Sequence, residues 1–391
     1  MNSELAERVL VNVMEWDEET VARERPLIQV LASYKFDEYQ QFSPGMRFIE
    51  SFASWLRQFD KDERNIMYNF VKCRLIYIAN TEMQHFVSIV YPDIIRKILF
   101  GKVAQTENMS TMDVKTLSGS TAFELIRRKS LFLGLSDGAR MDFFRRINQG
   151  SISNEQIWLT YEISNEKAQG MLKDLSEDLE HKMGRKPSDS EVKFKTIFLL
   201  DDFSASGTSY FRVEKEKFTG RIKKTGKIIK ILEKFFPQTK EDYDKNSIEY
   251  DYVSNLVDPN NLEIHVILYL MTEDARQKLN SVIEEWIHIH KLNVIIKIHP
   301  VQLIKDPSKI KIDTDSKLLD IIKKPAYFDK GIIDSHWEKG RCKEPYLGYD
   351  QCSLPLVMSH NAPNNALPIL WFESFRSVKG LFPRISRHKK E

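Results

Sequence analysis

Asp201 and Asp202 stand side by side after the apolar run Ile197 to Leu200, and Phe203 separates them from Ser204-Ala205-Ser206-Gly207-Thr208-Ser209. Adjacent carboxylates can accept hydrogen bonds from vicinal sugar hydroxyls. The segment behind them is rich in small and hydroxylated residues, and it offers an anion inward-pointing amides together with the hydroxyls of Ser206, Thr208 and Ser209. Gly207 permits close backbone approach. A plain surface turn needs only one or two of Gly, Asn, Asp or Pro. Charge-assisted hydrogen bonds contribute roughly 1.5–3 kcal/mol each, so a handful would hold a phosphate at micromolar level after entropic losses. The chemistry these residues suit is recognition of a phosphorylated sugar; the plain alternative is a strand-ending turn with a helix cap.

A second segment, GLSDGARMD at 134–142, follows the run LFLGL. Ser136, Asp137, Gly138 and Ala139 form a tight loop, and Arg140 offers a planar fork for paired phosphate oxygens. A third, His360-Asn361-Ala362-Pro363-Asn364-Asn365, reads equally as a cap that recognises a base through His360, Asn361, Asn364 and Asn365 or as an ordinary turn. The basic run Lys217, Arg221, Lys223, Lys224, Lys227 and Lys230 suits either a polyanionic partner or a solvated helix face. His288, His290 and His299 lack a carboxylate or cysteine at ligand spacing and read as ordinary histidines.

Parallel strands alternating with helices would position the two loops. Apolar residues recur at helical steps from about 46 to 104, with no strand alternation. From residue 131 short apolar runs alternate with helical stretches: LFLGL, QIWLTYEI, a helix opened by Ser164, KTIFLL, a basic helix at 223–236, EIHVILYLM, a helix to Trp286, and NVIIKIH. The fold class expected is α/β: a parallel-sheet core with an α-helical N-terminal region and a C-terminal extension. The boundaries expected are 1–125 for the helical region and 126–391 for the core domain, with an insertion at about 237–262 and a C-terminal cap. Carboxylates directly after TIFLL would then stand at the mouth of a crevice, past the strand end, where both acids can turn toward one sugar.

The chain has 391 residues, 42% of them hydrophobic, enough to bury a sizeable core. A formal charge of +2 makes any basic surface local. Cys73, Cys342 and Cys352 form no Cys-x-x-Cys pair and suit a reducing cytosol. No run of eighteen apolar residues occurs and the N-terminal residues do not resemble a secretory leader, so a cytoplasmic location without membrane partners is expected.

The run of four apolar residues, Asp201, Asp202, Phe203 and Ser204 to Ser209 resembles the phosphoribosyl-diphosphate loop of type I phosphoribosyltransferases. The order of GLSDGARMDFFRR, FLLDDFSASGTSYFR and HNAPNNALPILW further resembles a branch of that family encoded in bacterial conflict and antiphage systems, some members standing beside retron reverse transcriptases. The resemblance implies that Asp201 and Asp202 bind the ribose hydroxyls and touch Mg²⁺ only indirectly, through the ribose–diphosphate–metal complex. It implies that residues 205–209 take the 5′-phosphate and that 136–140 take the diphosphate, with Asp201, Asp202 and Arg140 as the catalytic set. It further implies a toxic effector held inactive by a protein, reverse transcriptase or nucleic-acid partner; a homo-oligomer is a separate expectation. Two departures stand out. Ala205 replaces the acid that purine-salvage members use near the base, leaving no candidate for that general base. The segment YFRVEKEKFTGRIKK separates the phosphate loop from the helix that usually follows it. A non-catalytic nucleotide-sensing module of the same fold, and a nucleic-acid-associated subunit of a defence complex, are the alternatives.

Overall fold

The computed structural model describes residues 3–215, 222–239, 251–333, 337, 342–374 and 378–384. The chain divides into two compact units, one of residues 84–305 and one of residues 1–83 with 306–391.

The unit 84–305 is built on five strands: β1 (Ser130–Gly134), β2 (Ile157–Trp158), β3 (Thr196–Ser204), β4 (Leu262–Thr272) and β5 (Val294–Ile304). They lie in the order β2-β1-β3-β4-β5, every pair parallel. The central strands are near-continuous apolar runs, Leu131 to Leu133, Ile197 to Leu200 and Val266 to Met271, all buried, because helices cover both faces of a parallel sheet. The helix Asn165–Met183 starts where Ser164 accepts a hydrogen bond from the Lys167 amide (3.3 Å) and buries Ala168, Met171, Leu175 and Leu179. The helix Glu273–His290 is capped by Thr272 and buries Ala275, Leu279, Ile283 and Trp286.

Three expectations change. Of QIWLTYEI only Ile157 and Trp158 form a strand, since pairing to β1 ends at Trp158 and Leu159 turns out to solvent. Residues 223–225 are not helical: Ile222–Thr225 pairs antiparallel with Arg212–Lys215, and the helix is confined to Lys227–Phe235. Strand β3 runs on through both acids, because β4 matches it in register as far as Ser204 against Met271. Of the expected insertion, residues 240–250 lie outside the described residues, and a short helix, Tyr252–Asn255, follows.

In the other unit the helices Phe48–Leu56 and Lys61–Cys73 pack an aromatic core in which Phe36, Phe48, Phe52, Trp55 and Phe382 are buried. Within the stretch read as wholly helical, Ile76–Ile78 forms a strand parallel to Leu356–Met358. The expected boundary at 125 therefore falls inside a compact unit, and the C-terminal segment joins the first 83 residues. The cause is the helix Phe48–Leu56, buried almost all round: Trp55 donates to the Ile369 carbonyl (2.8 Å) and Ser51 to that of Leu381 (2.7 Å). No disulfide joins the three cysteines, and among the described residues no helix is long and apolar enough to cross a membrane.

Candidate functional site

A strand order of 2-1-3-4-5 reverses direction between β1 and β3, and ligands of open parallel sheets bind outside the carboxyl ends at such a switch point. The two loops singled out by sequence leave from these two strands. After β1, the Leu135 amide donates to the Leu200 carbonyl (2.9 Å), Asp137–Ala139 make one turn of 3₁₀ helix, and Arg140 takes a left-handed conformation (φ 49°, ψ 44°). A non-glycine residue held there stores strain of a kind that collects at functional sites.

The first loop grips the end of β3 on both sides. Ser136 donates its hydroxyl to Asp201 Oδ1, while Gly138 lies against the carboxylate of Asp202 so closely that any side chain at 138 would collide with it. Alternation along a strand accounts for the split, and it corrects the expectation that both acids lie past the strand end and face one sugar. Asp201 is completely buried, whereas Asp202 is half-buried. Asp201 Oδ1 also accepts from the Asp202 amide (3.1 Å), and Oδ2 accepts from Tyr210 Oη (2.8 Å) and Lys227 Nζ (2.6 Å). Burial, and then the neighbouring Asp202 charge, push the Asp201 pKa up, against the pull of Lys227 and Ser136. Burial and both acids together drive the Tyr210 phenol far up, so it remains a hydrogen-bond donor. Tyr269 on β4, fully buried, donates to the Ala139 carbonyl and so ties the first loop to the sheet.

The second loop is equally fixed. Thr272 donates to the Ala205 carbonyl (2.6 Å), and Gly207 (φ 75°) lies against the helix Glu273–His290, where a Cβ would come 2.9 Å from Leu279. Both the backbone angle and the contact require glycine. Ser204 is buried. Ser206 and Thr208, expected to face an anion, are buried and bonded to each other (2.7 Å); Ser209 is exposed. Within the intervening segment Arg212–Lys215 pairs antiparallel with Ile222–Thr225, and the helix is not displaced. The amides of Lys227 and Ile228 donate to the carbonyls of Ser209 (3.2 Å) and Tyr210 (3.1 Å), so the helix Lys227–Phe235 begins directly on the loop.

Sequence reasoning missed Tyr210 and Tyr269, for which no local signal exists, and it did not foresee that Lys227, left between a polyanion contact and a solvated face, pairs with Asp201. A lysine at the first position of a helix opposes the dipole, a signal that it has a specific counter-ion. Of the remaining basic run, Lys217 and Arg221 lie outside the described residues and Lys230 is exposed.

His360, Asn361, Asn364 and Asn365 belong to the other unit, where they build a turn. Gln41 donates to the His360 carbonyl (2.8 Å) and to Asn361 Oδ1 (3.1 Å). Asn365 Nδ2 donates to the Tyr349 carbonyl (3.0 Å), and Arg384 to Asn364 Oδ1. His299 meets His265 (3.0 Å) rather than His288 or His290. Its pKa is lowered to about 4 by burial, by His265 and by Lys297; that of His265 falls through burial and Lys102, against Glu263. Among the described residues no group of three or more His, Cys, Asp or Glu could hold a metal. With both oxygens of Asp201 engaged, the acid pair does not fit a metal held by protein alone.

No curated protein and no solved structure matches the chain. A family model, PRTase-CE, matches residues 52–384, and with most of its length covered the chain belongs to the PRTase-CE family, a phosphoribosyltransferase-like family.

Proposed function

We propose that the protein binds phosphoribosyl diphosphate at the switch point between β1 and β3 and transfers the ribosyl 5-phosphate to an acceptor or to water. The single observation that supports this is the meeting of the two loops across the end of β3, Ser136 on Asp201 and Gly138 on Asp202. In this reading Asp202 takes the ribose hydroxyls, the backbone of 205–209 takes the 5′-phosphate, and Arg140 faces the diphosphate. Asp201 positions: paired with Lys227, it keeps Ser136 and Tyr210 in place. The C1–O bond breaks, its electron pair leaves with the diphosphate, and C1 bonds to an oxygen or nitrogen of the acceptor, which releases a proton. The transition state is oxocarbenium-like, and preorganised donors on the leaving group lower its energy. Mg²⁺ would arrive on the substrate's own diphosphate and neutralise leaving-group charge, facing Asp202 through the sugar.

Calorimetric titration of phosphoribosyl diphosphate and ribose 5-phosphate tests the placement. Gly207→Val should weaken both ligands, while Arg140→Ala should weaken only the first, by roughly tenfold to a hundredfold. Equal weakening by Arg140→Ala removes Arg140 from the diphosphate. The sequence resemblance to the conflict-system branch extends the proposal to a cytoplasmic toxic effector in antiphage defence, restrained by a partner. Growth arrest on expression of the wild type, but not of Asp202→Asn, would support it.

A second reading, a nucleotide sensor without turnover, is favoured by one feature: Asp201 has both oxygens engaged and Ala205 supplies no base. Diphosphate release separates the two, since a sensor binds and releases none.

A further inference from the structure

A cavity of about 710 Å³ lies between the helix Thr121–Arg128, the segment 149–156 and the helix Asn165–Met183. The first helix and the segment lead into the amino ends of β1 and β2, so the cavity is at the opposite end of the sheet from the two loops.

Arg128 lines this cavity and is only 4% exposed. Its Nε donates to Asp178, but Nη1 and Nη2 are sealed from solvent and have no hydrogen-bond partner among the described residues. A buried guanidinium normally fills its fork with acceptors, and one edge left empty is costly. The neighbouring amide cannot serve: Gln156 Nε2 donates to the carbonyls of Arg127 (2.8 Å) and Ser130 (2.7 Å), and its Oε1 accepts from the Ser153 amide (3.3 Å). Among the described residues Asp178 is the counter-ion of Arg128, and it is itself 47% exposed. Besides Arg128 the lining carries two cations, Arg127 and Lys182, and five carboxylates. Glu124 is neutralised by Lys182 (3.0 Å), whereas Glu155 and Asp174 have no ion-pair partner among the described residues, and Glu177 has only Lys173 at 3.9 Å.

We propose that this cavity binds a small zwitterion of the free amino acid class, its carboxylate reaching the unpaired edge of Arg128 as Asp178 turns outward, and its ammonium among Asp174, Glu177 and Glu155. A planar monoanion matches the guanidinium fork. A phosphate dianion would face five carboxylates, counting Glu124 and Asp178, against the three cations Arg127, Arg128 and Lys182, and is disfavoured. The cavity holds far more than one carboxylate group, so the ligand carries a side chain.

The test uses the full chain, with the twenty free L-amino acids, acetate and inorganic phosphate as probes, followed by thermal unfolding and calorimetry. At least one amino acid should raise the unfolding midpoint by about 2 °C or more at roughly a hundred times its Kd, with acetate weaker and phosphate inert. Arg128→Met and Asp174→Asn should each weaken that binding at least tenfold. Met should not lower the midpoint of the unliganded protein, because it replaces a charge with an empty edge. Should Arg128→Met fail to fold, Arg128→Lys keeps the charge without the fork and should show the same tenfold loss. The proposal is overturned if no amino acid shifts the midpoint, if phosphate binds as well as the best amino acid, or if binding survives both the arginine and the aspartate substitutions.

Discussion

Residues 201–209 and residues 360–365 raise the same suspicion in the sequence, each a cluster of small polar groups after an apolar run, yet the fold uses them in opposite ways. In 360–365 the amide side chains close a turn within their own unit: Asn365 holds the Tyr349 carbonyl, and Asn361 accepts from Gln41. In 201–209 a carboxylate is buried where burial is expensive, a glycine sits at φ 75°, and a strained arginine lies on the adjoining loop. Amides that satisfy nearby backbone groups stabilise a fold cheaply, whereas buried charge and strained backbone persist only where the surrounding structure over-determines them. Location completes the contrast, since the first region stands at a sheet switch point and the second closes a turn.

The contrast should be widest in Asp202→Asn. It removes a charge facing the first loop without disturbing the Asp201 pairs, so diphosphate release should fall by roughly a hundredfold or more while the unfolding midpoint is kept. Unchanged release would mean that the acid pair is wholly structural. Asp201→Ala should behave in reverse, costing about 3 kcal/mol in urea unfolding because Lys227 and Tyr210 lose their common acceptor, and Lys227→Met paired with it should recover much of the loss. If Asp201→Ala keeps full stability and loses only turnover, Asp201 rather than Asp202 is the substrate ligand.

A control comes from the far end of the same sheet. His265 and His299 face Glu263, Lys102 and Lys297, and both titrate below the ordinary histidine value, His299 at about 4. The unfolded chain therefore takes up these protons first. Stability present above about pH 6.5 should be lost as pH falls toward about 4, by roughly 2 kcal/mol for His299. Urea midpoints at pH 6.5 and 4.5 should converge in His299→Gln relative to the wild type. Equal pH dependence in the two proteins would show that the buried pair is not what titrates.

The smallest effect belongs to the Asn-rich turn. Asn365→Ala should cost about 1 kcal/mol of stability, the loss of one hydrogen bond to a carbonyl, and leave phosphoribosyl diphosphate binding unchanged. Binding lost with stability kept would break the comparison and return 360–365 to the candidate site.

The sequence alone determined the parallel α/β core, because central strands of a doubly covered sheet must be continuous apolar runs and Leu131 to Leu133 and Ile197 to Leu200 are nothing else. It determined where both loops start, since Gly138, Gly207 and the acid pair are local features that ordinary surface turns do not need. What it could not carry was anything that depends on register or on distant packing. The extension of β3 through Asp201 and Asp202 follows from its pairing with β4 as far as Ser204, and that extension, not the acids themselves, sends one carboxylate to Ser136, Tyr210 and Lys227 and the other to Gly138. The joining of the C-terminal segment to the first 83 residues was equally hidden, because a helix buried almost all round states its need for cover without naming the segment that supplies it. Local spacing fixes which residues share a face; only tertiary structure decides what that face meets.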